Sequence, residues 1–246
     1  MDMKKIEAMR AGGRILADIL GRLQEQVAPG VNELELNKWV EQEILAAGAT
    51  VAYYEKEVGF PGAICISVND ELIHGVPEDN VLVSGDKVSF DLTIGYKGYY
   101  VDSAFSMIVG EGSAIVRRLL SVTESALLEG IERVRPTGRL GDVGHAVEQV
   151  LEKGKLGIIR NYVGHGIGKK MHMAPEVPNY GRAGTGIVMK PGDTFCIEPM
   201  SSLGKVATKI ADDGWTVLLK DGSIGAHFEH TVLVTPDGVE VLTARS

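Results

Sequence analysis

The stretch "KVSFDLTIGYKGYYVDSAFSMIV", residues 87–109, decides the fold. It reads as two β-strands joined by a tight turn, and each strand carries an aspartate, Asp91 and Asp102, among apolar neighbours. Removing an ionised carboxylate from water costs on the order of several kcal/mol even after relaxation, so a half-buried sheet accepts one only beside a counter-charge. Taken singly, a strand acid can also face solvent. Phe90 and Leu92 point to the face opposite Asp91, which makes exposure the plainer reading of this stretch alone.

The rest of the chain changes that reading, because it repeats at a constant offset of 107 residues. Pro29 matches Pro136, Val40-Glu41-Gln42 matches Val147-Glu148-Gln149, Val81 matches Val188, Gly85-Asp86 matches Gly192-Asp193, and Asp91 matches Glu198. Each half begins with two helical patterns, about 3–26 and 33–47, then about 113–133 and 140–153, broken by Pro29-Gly30 and Pro136-Thr137-Gly138. Strand-like runs follow, "AICISVN" and the opening stretch in the first half, "TFCIEPM", "WTVLLK" and "HFEHTVLVT" in the second. The order is ααβ twice, with halves at about 1–110 and 111–246 and a single catalytic domain expected over 1–246. Aligning the last strands sets Asp102 against Glu229 at an offset of 127 and leaves about 20 extra residues near 202–222.

Packed about a pseudo-twofold axis, such halves bring Asp91, Asp102, Glu198 and Glu229 together. Converging carboxylates raise one another's pKa values and call for cations. Two divalent ions roughly 3.5–4 Å apart, bridged by carboxylates and holding a water between them, satisfy that need. The six histidines are unequal candidates to join them. His165 lies in "NYVGHGIG", whose glycines let backbone approach a site closely; His172 and His74 sit in loop-like "KMHMAPEVPNY" and "ELIHGVP". His145 falls within a helix, and His230 faces away from Glu229 by strand alternation.

Bulk composition narrows the class. A net charge of −8, with 44% hydrophobic and 24% charged residues, suits a globular chain and argues against a nucleic-acid surface, so no DNA partner is expected. The two cysteines, Cys65 and Cys196, lie in apolar strand-like runs and not at metal-ligand spacing. The opening "MDMKKIEAMRAGGRILADIL" lacks the apolar core of a signal peptide, and no stretch approaches 18 apolar residues. A cytoplasmic location without membrane contact is expected.

The ordered set "CISVNDELIHGVP", "SFDL" with "VDSAF", "GHGIG" with "MHMAPEVPNY", "FCIEPM", "DGWTV" and "FEHTVLV" resembles the type I methionine aminopeptidases of the bacterial kind, over about residues 3–243. That resemblance implies the α+β pita-bread fold, two ααβ halves around a curved antiparallel sheet. It implies Asp91, Asp102, His165, Glu198 and Glu229 as ligands of two divalent ions, with Co, Mn, Fe and Zn all compatible with the oxygen-rich set. It implies Glu198 as general base, His172 at the scissile carbonyl oxygen and His74 at the scissile amide. The substrate implied is the N-terminal methionine of nascent polypeptides, preferably before a small residue, with Phe60, Cys65, Met171 and Trp215 on the methionine pocket. A monomer is expected, and Lys205, Lys209 and Lys220 in the extra segment are candidates for transient ribosome contact.

Four positions depart from the pattern. Glu57-Val58 stands where many relatives carry an aromatic residue followed by histidine, and Met171 where phenylalanine is frequent, so strictness for methionine is what they affect. His227 often corresponds to glutamine, and alternation puts it on the face of Glu229. Two rival readings are an Xaa-Pro aminopeptidase of the same fold and an inactive binding module. The first usually adds a large N-terminal domain, whereas this chain opens on its first helix; the second usually loses ligands that are all present here. Only 33 residues separate His165 from Glu198, too few for the helical insertion of type II enzymes.

Overall fold

The computed structural model describes residues 2–245. Helices form where apolar residues recur at three and four: α1 Met3–Gln26, α2 Glu33–Ala46, α3 Ala114–Ile131 and α4 Leu140–Lys153. Asp2, Asn32 and Ser113 cap the first three, each accepting a backbone N–H of the first turn. Arg139 precedes α4, and there Asp142 accepts the Arg139 N–H instead.

The strands are β1 Thr50–Val51, β2 Cys65–Val68, β3 Glu71–Ile73, β4 Lys87–Tyr96, β5 Tyr99–Ile108, β6 Gly157–Ile158, β7 Gly164–Gly166 and β8 Met173–Val177. They continue as β9 Thr194–Ile197, β10 Met200–Ser202, β11 Thr208–Ile210, β12 Val217–Leu219, β13 Gly225–His227, β14 Glu229–Thr235 and β15 Gly238–Val241. Nine of them make one sheet in the order β1-β4-β5-β14-β9-β7-β8, with β2 also on β4 and β15 also on β14; every pairing is antiparallel. α1 lies against β4 and β5, while α3 and α4 pack on each other and reach β9, β14 and β8.

The 107-residue repeat is visible in the hydrogen bonds. An isolated bridge joins Asn32 to Val81 and another joins Arg139 to Val188; Gly30 N–H donates to Leu82 and Thr137 N–H to Met189. The last strands, however, are related by 125 residues and not by 127. Val109 N–H donates to the Asp86 carbonyl and Val234 N–H to that of Asp193, both at 2.9 Å. Ala104, not Asp102, is therefore the counterpart of Glu229, and His227 is the counterpart of Asp102. The halves join where β5 meets β14, with Glu229 opposite Ala104.

Two other expectations need correction. "TFCIEPM" is broken in two at Glu198-Pro199, because proline cannot donate to a ladder. The segment after His172, expected to be loop-like, instead forms β8, which joins the sheet through β7 around His165. The extra residues of the second half form β11 and β12, which pair with β3 in a small separate sheet.

α1 approaches the chain end so closely that only glycine fits at one point. A Cβ on Gly13 would stand 2.0 Å from the Leu242 carbonyl oxygen. Gly13→Ala should therefore destabilise by about 1–3 kcal/mol, as overpacking does. A urea midpoint unchanged from wild type would show that this contact gives way easily.

Candidate metal centre

Asp91 occupies the middle of β4, paired with Ala104 on one side and Cys65 on the other. Asp102 lies in β5 opposite Thr93, and its backbone is clamped by Thr231, whose hydroxyl accepts the Asp102 N–H at 2.9 Å and donates to its carbonyl at 2.7 Å. Glu198 follows the end of β9, where the Pro199 break turns it inward, and Asn179 holds its carbonyl at 2.9 Å. Glu229 opens β14. His165 sits in β7 between two glycines, its Nδ1 3.1 Å from the Gly166 carbonyl; that contact leaves Nε2 free to face the acids.

The five expected ligands converge. Ligand atoms of Asp102, His165, Glu229 and also Cys196 all lie within 4.8 Å of one another. His165 Nε2 is 3.5 Å from Glu198 Oε1. On the other edge of the same carboxylate, His227 Nε2 is 3.8 Å from Glu198 Oε2 and 4.0 Å from Glu229 Oε2. Asp91 accepts the Tyr53 hydroxyl at 3.1 Å, and Thr93 donates to that hydroxyl in turn.

No lysine or arginine pairs with these acids among the described residues; their ion-pair partners are histidines. Lys87, buried on the same strand as Asp91, directs its Nζ to the Ser67 and Glu71 carbonyls, and burial lowers its pKa to about 7. Burial first, then the neighbouring Asp102 charge, pushes the Asp91, Glu198 and Glu229 carboxyls well above the usual carboxylate range. Burial likewise holds His165 and His74 below the usual imidazole value, and brings His227 to about 3. Both sets of shifts have burial as their first cause, which favours the neutral form of acid and imidazole alike.

The acids form the floor of a cavity of about 280 Å³. His74, His172 and Met171 line its wall with Tyr53, Ile73 and Tyr162. His172 stacks edgewise on His165, ring centroids 4.3 Å apart, and His74 stands on a left-handed residue, φ 56°, directly after β3. Phe60, Cys65 and Trp215 are not among the lining residues. Phe60, 4% exposed, packs edgewise between Tyr53 and Trp215, and Cys65 lies behind Asp91 in β2. His145 bonds the Gly181 carbonyl and His230 bonds Ser103 and Thr243, both away from the acids.

Sequence reasoning missed Tyr53 and Cys196. Tyr53 carries no local signal, since a single turn of 3₁₀-helix delivers it and not a strand with recognisable alternation. Cys196 had one: it stands two residues before Glu198, and alternate strand residues share a face.

Residues 7–236 match metallopeptidase family M24. The chain is 44% identical to a methionine aminopeptidase of Mycoplasma capricolum, covering 98% of this chain and 96% of that one. Its structure superposes on the crystal structure of methionine aminopeptidase from Rickettsia prowazekii with a TM-score of 0.96 at 39% identity, covering 99% and 98%. The chain belongs to family M24, in its methionine aminopeptidase branch. Prolidase from Pyrococcus furiosus, at 22% identity and a TM-score of 0.77, shares the pita-bread fold.

The residues present fit the divalent metal that M24 metallopeptidases use. Asp102 Oδ1, Glu229 Oε1 and both His227 ring nitrogens are buried without a hydrogen-bond partner, which in a dry cluster is a large cost unless an ion is held there. Carboxylate oxygen and imidazole nitrogen are the donors that Mn, Fe, Co and Zn accept. Since burial raises the affinity of these carboxyls for protons and an ion requires them ionised, while burial already favours neutral histidines, metal uptake should release protons. Affinity should then rise from pH 6 to pH 8. Calorimetric titration of chelated protein in two buffers of different ionisation enthalpy measures this; a buffer-independent heat would contradict it.

Proposed function

We propose that the chain removes N-terminal methionine from polypeptides as a metal-dependent exopeptidase with two divalent ions, drawn from Mn, Co, Fe and Zn. The observation that carries this reading is the convergence of three buried carboxylates, the partly exposed Glu198 and His165 on the floor of a cavity walled by His74, His172 and Met171. Asp91, Asp102, His165, Glu198 and Glu229 hold the ions. When bound, they lower the pKa of water and polarise the scissile carbonyl.

The protein's own groups do the rest. Glu198, ionised when it holds metal, takes the proton of the attacking water and passes it toward the leaving nitrogen. His172 hydrogen-bonds the carbonyl oxygen as charge grows there. His74, across the cavity, contacts the scissile amide and assists proton delivery. A free amine is recognised at the acidic floor, so a blocked terminus binds poorly. Met171, 7% exposed, supplies a soft apolar wall with Tyr162 and Ile73 in place of a stiff aromatic one.

The natural substrate is then the N-terminus of a nascent polypeptide with a small second residue, processed in the cytoplasm by a monomer whose whole length, 1–246, acts as one catalytic unit. Lys205, Lys209 and Lys220 are exposed on the extra sheet, where they are available for ribosome contact. No helix among the described residues is long and apolar enough to cross a membrane.

Chelated protein resupplied with Mn or Co should release methionine from Met-Ala-Ser and leave acetyl-Met-Ala-Ser intact. Preference for Ala-Pro-Ala would move the function to proline-specific cleavage, and silence with every metal would favour a binding module. Asp91→Asn should lose metal and activity together, whereas His172→Ala should keep its metal and lose about 10²–10³ in kcat. Met171→Phe should reduce cleavage of Leu-Ala-Ser relative to Met-Ala-Ser; an unchanged ratio would remove Met171 from the specificity wall.

A further inference from the structure

Among the described residues His227 is the only histidine whose two ring nitrogens are both buried without a hydrogen-bond partner. It does not line the cavity, so substrate does not reach it. Its Nε2 faces Glu198 Oε2 at 3.8 Å and Glu229 Oε2 at 4.0 Å. Both separations exceed a hydrogen bond. Two donors bound at about 2.0–2.2 Å to one ion can stand as much as about 4.4 Å apart, so a single ion spans either gap. Glu198 is thus flanked on both edges, with His165 Nε2 at Oε1 and His227 Nε2 at Oε2.

The repeat supplies an independent reason. His227 stands 125 residues after Asp102, the offset that carries Val109 to Val234 and Ala104 to Glu229. The same offset carries Ser106 to Thr231, and the two hydroxyls do the same work. Thr231 clamps the backbone N–H and carbonyl of Asp102; Ser106 clamps those of His227, at 3.0 and 2.8 Å. His227 therefore occupies, in the second half, the seat from which Asp102 reaches the ions in the first.

We propose that His227, through Nε2, is a sixth protein ligand of the metal centre, closing on the oxygen pair Glu198 Oε2 and Glu229 Oε2 from the side away from substrate. The centre then carries two imidazoles, one at each edge of Glu198. This inference rests on the metallopeptidase reading above, and its test separates the two.

Proton NMR of the Co(II)-loaded protein in water counts coordinated imidazoles, because each contributes a far-shifted ring N–H resonance. Two such resonances are expected in wild type, both retained in His172→Ala and one lost in His227→Gln. Calorimetric titration with Co(II) should show His227→Gln binding about tenfold or more weakly. A single shifted resonance in wild type, or two that both survive in His227→Gln, would overturn the proposal and leave the metallopeptidase reading standing. Failure of chelated wild type to take up Co(II) at all would overturn both. The wild-type count decides between one imidazole and two even if His227→Gln does not fold.

Discussion

Four carboxylates drawn into the dry centre of one sheet are the constraint on which the rest of the structure depends. Neither of the usual compensations is available to them. Full hydration is denied to Asp91, Asp102 and Glu229, which are buried, and the one lysine on the same strand is turned toward backbone carbonyls. Without ions the cluster resolves its repulsion by protonation, at a cost that the surrounding apolar packing must offset. With ions the same burial becomes an advantage, because like charges that repel in a low dielectric bind a divalent cation correspondingly tightly.

The order of the chain follows from that constraint. The expected ligands on β4, β5, β7, β14 and the end of β9 meet because these strands are antiparallel neighbours in one curved sheet. Helices α1 to α4 cover the sheet and leave the acidic floor open to a single cavity wall. Hydroxyl clamps at the β5–β14 seam fix the backbone on which two of the inward residues ride, so the ligand atoms are placed before any ion arrives.

Much of this was legible in the chain, and the reasons for the remainder are specific. Helix boundaries were set by apolar spacing and by Pro29 and Pro136, and the strand pair 87–109 by alternation around a turn; these are local signals. The carboxylates were legible because the repeat preserved Asp91 and Glu198 at one offset. The register of the last strand was not, since both 125 and 127 bring acidic or metal-binding residues into alignment and only the ladder hydrogen bonds choose between them. The β7–β8 pairing was hidden because glycine and proline suppress the alternation that marks a strand. Phe60 and Trp215 were expected at the cavity from the family resemblance; Phe60 packs edgewise between Tyr53 and the partly buried Trp215, a contact that no local sequence signal announces.

The two halves share a frame but not a function, and the difference accounts for the one-sidedness of the site. Asp91 and Glu198 are counterparts and both face the centre; Ala104 and Glu229 are counterparts of which only one can bind an ion; Asp102 and His227 are counterparts of different charge. A strictly symmetric set would place equal acids on both sides and give no reason for substrate to enter from either. Alanine at one position and histidine at another lower the total negative charge that bound divalent metal has to balance. His165, His172 and Met171, carried by the β7–β8 arm of the second half, all stand on the cavity side. Symmetry thus builds the floor, and its breaking decides which face of the ions the substrate meets.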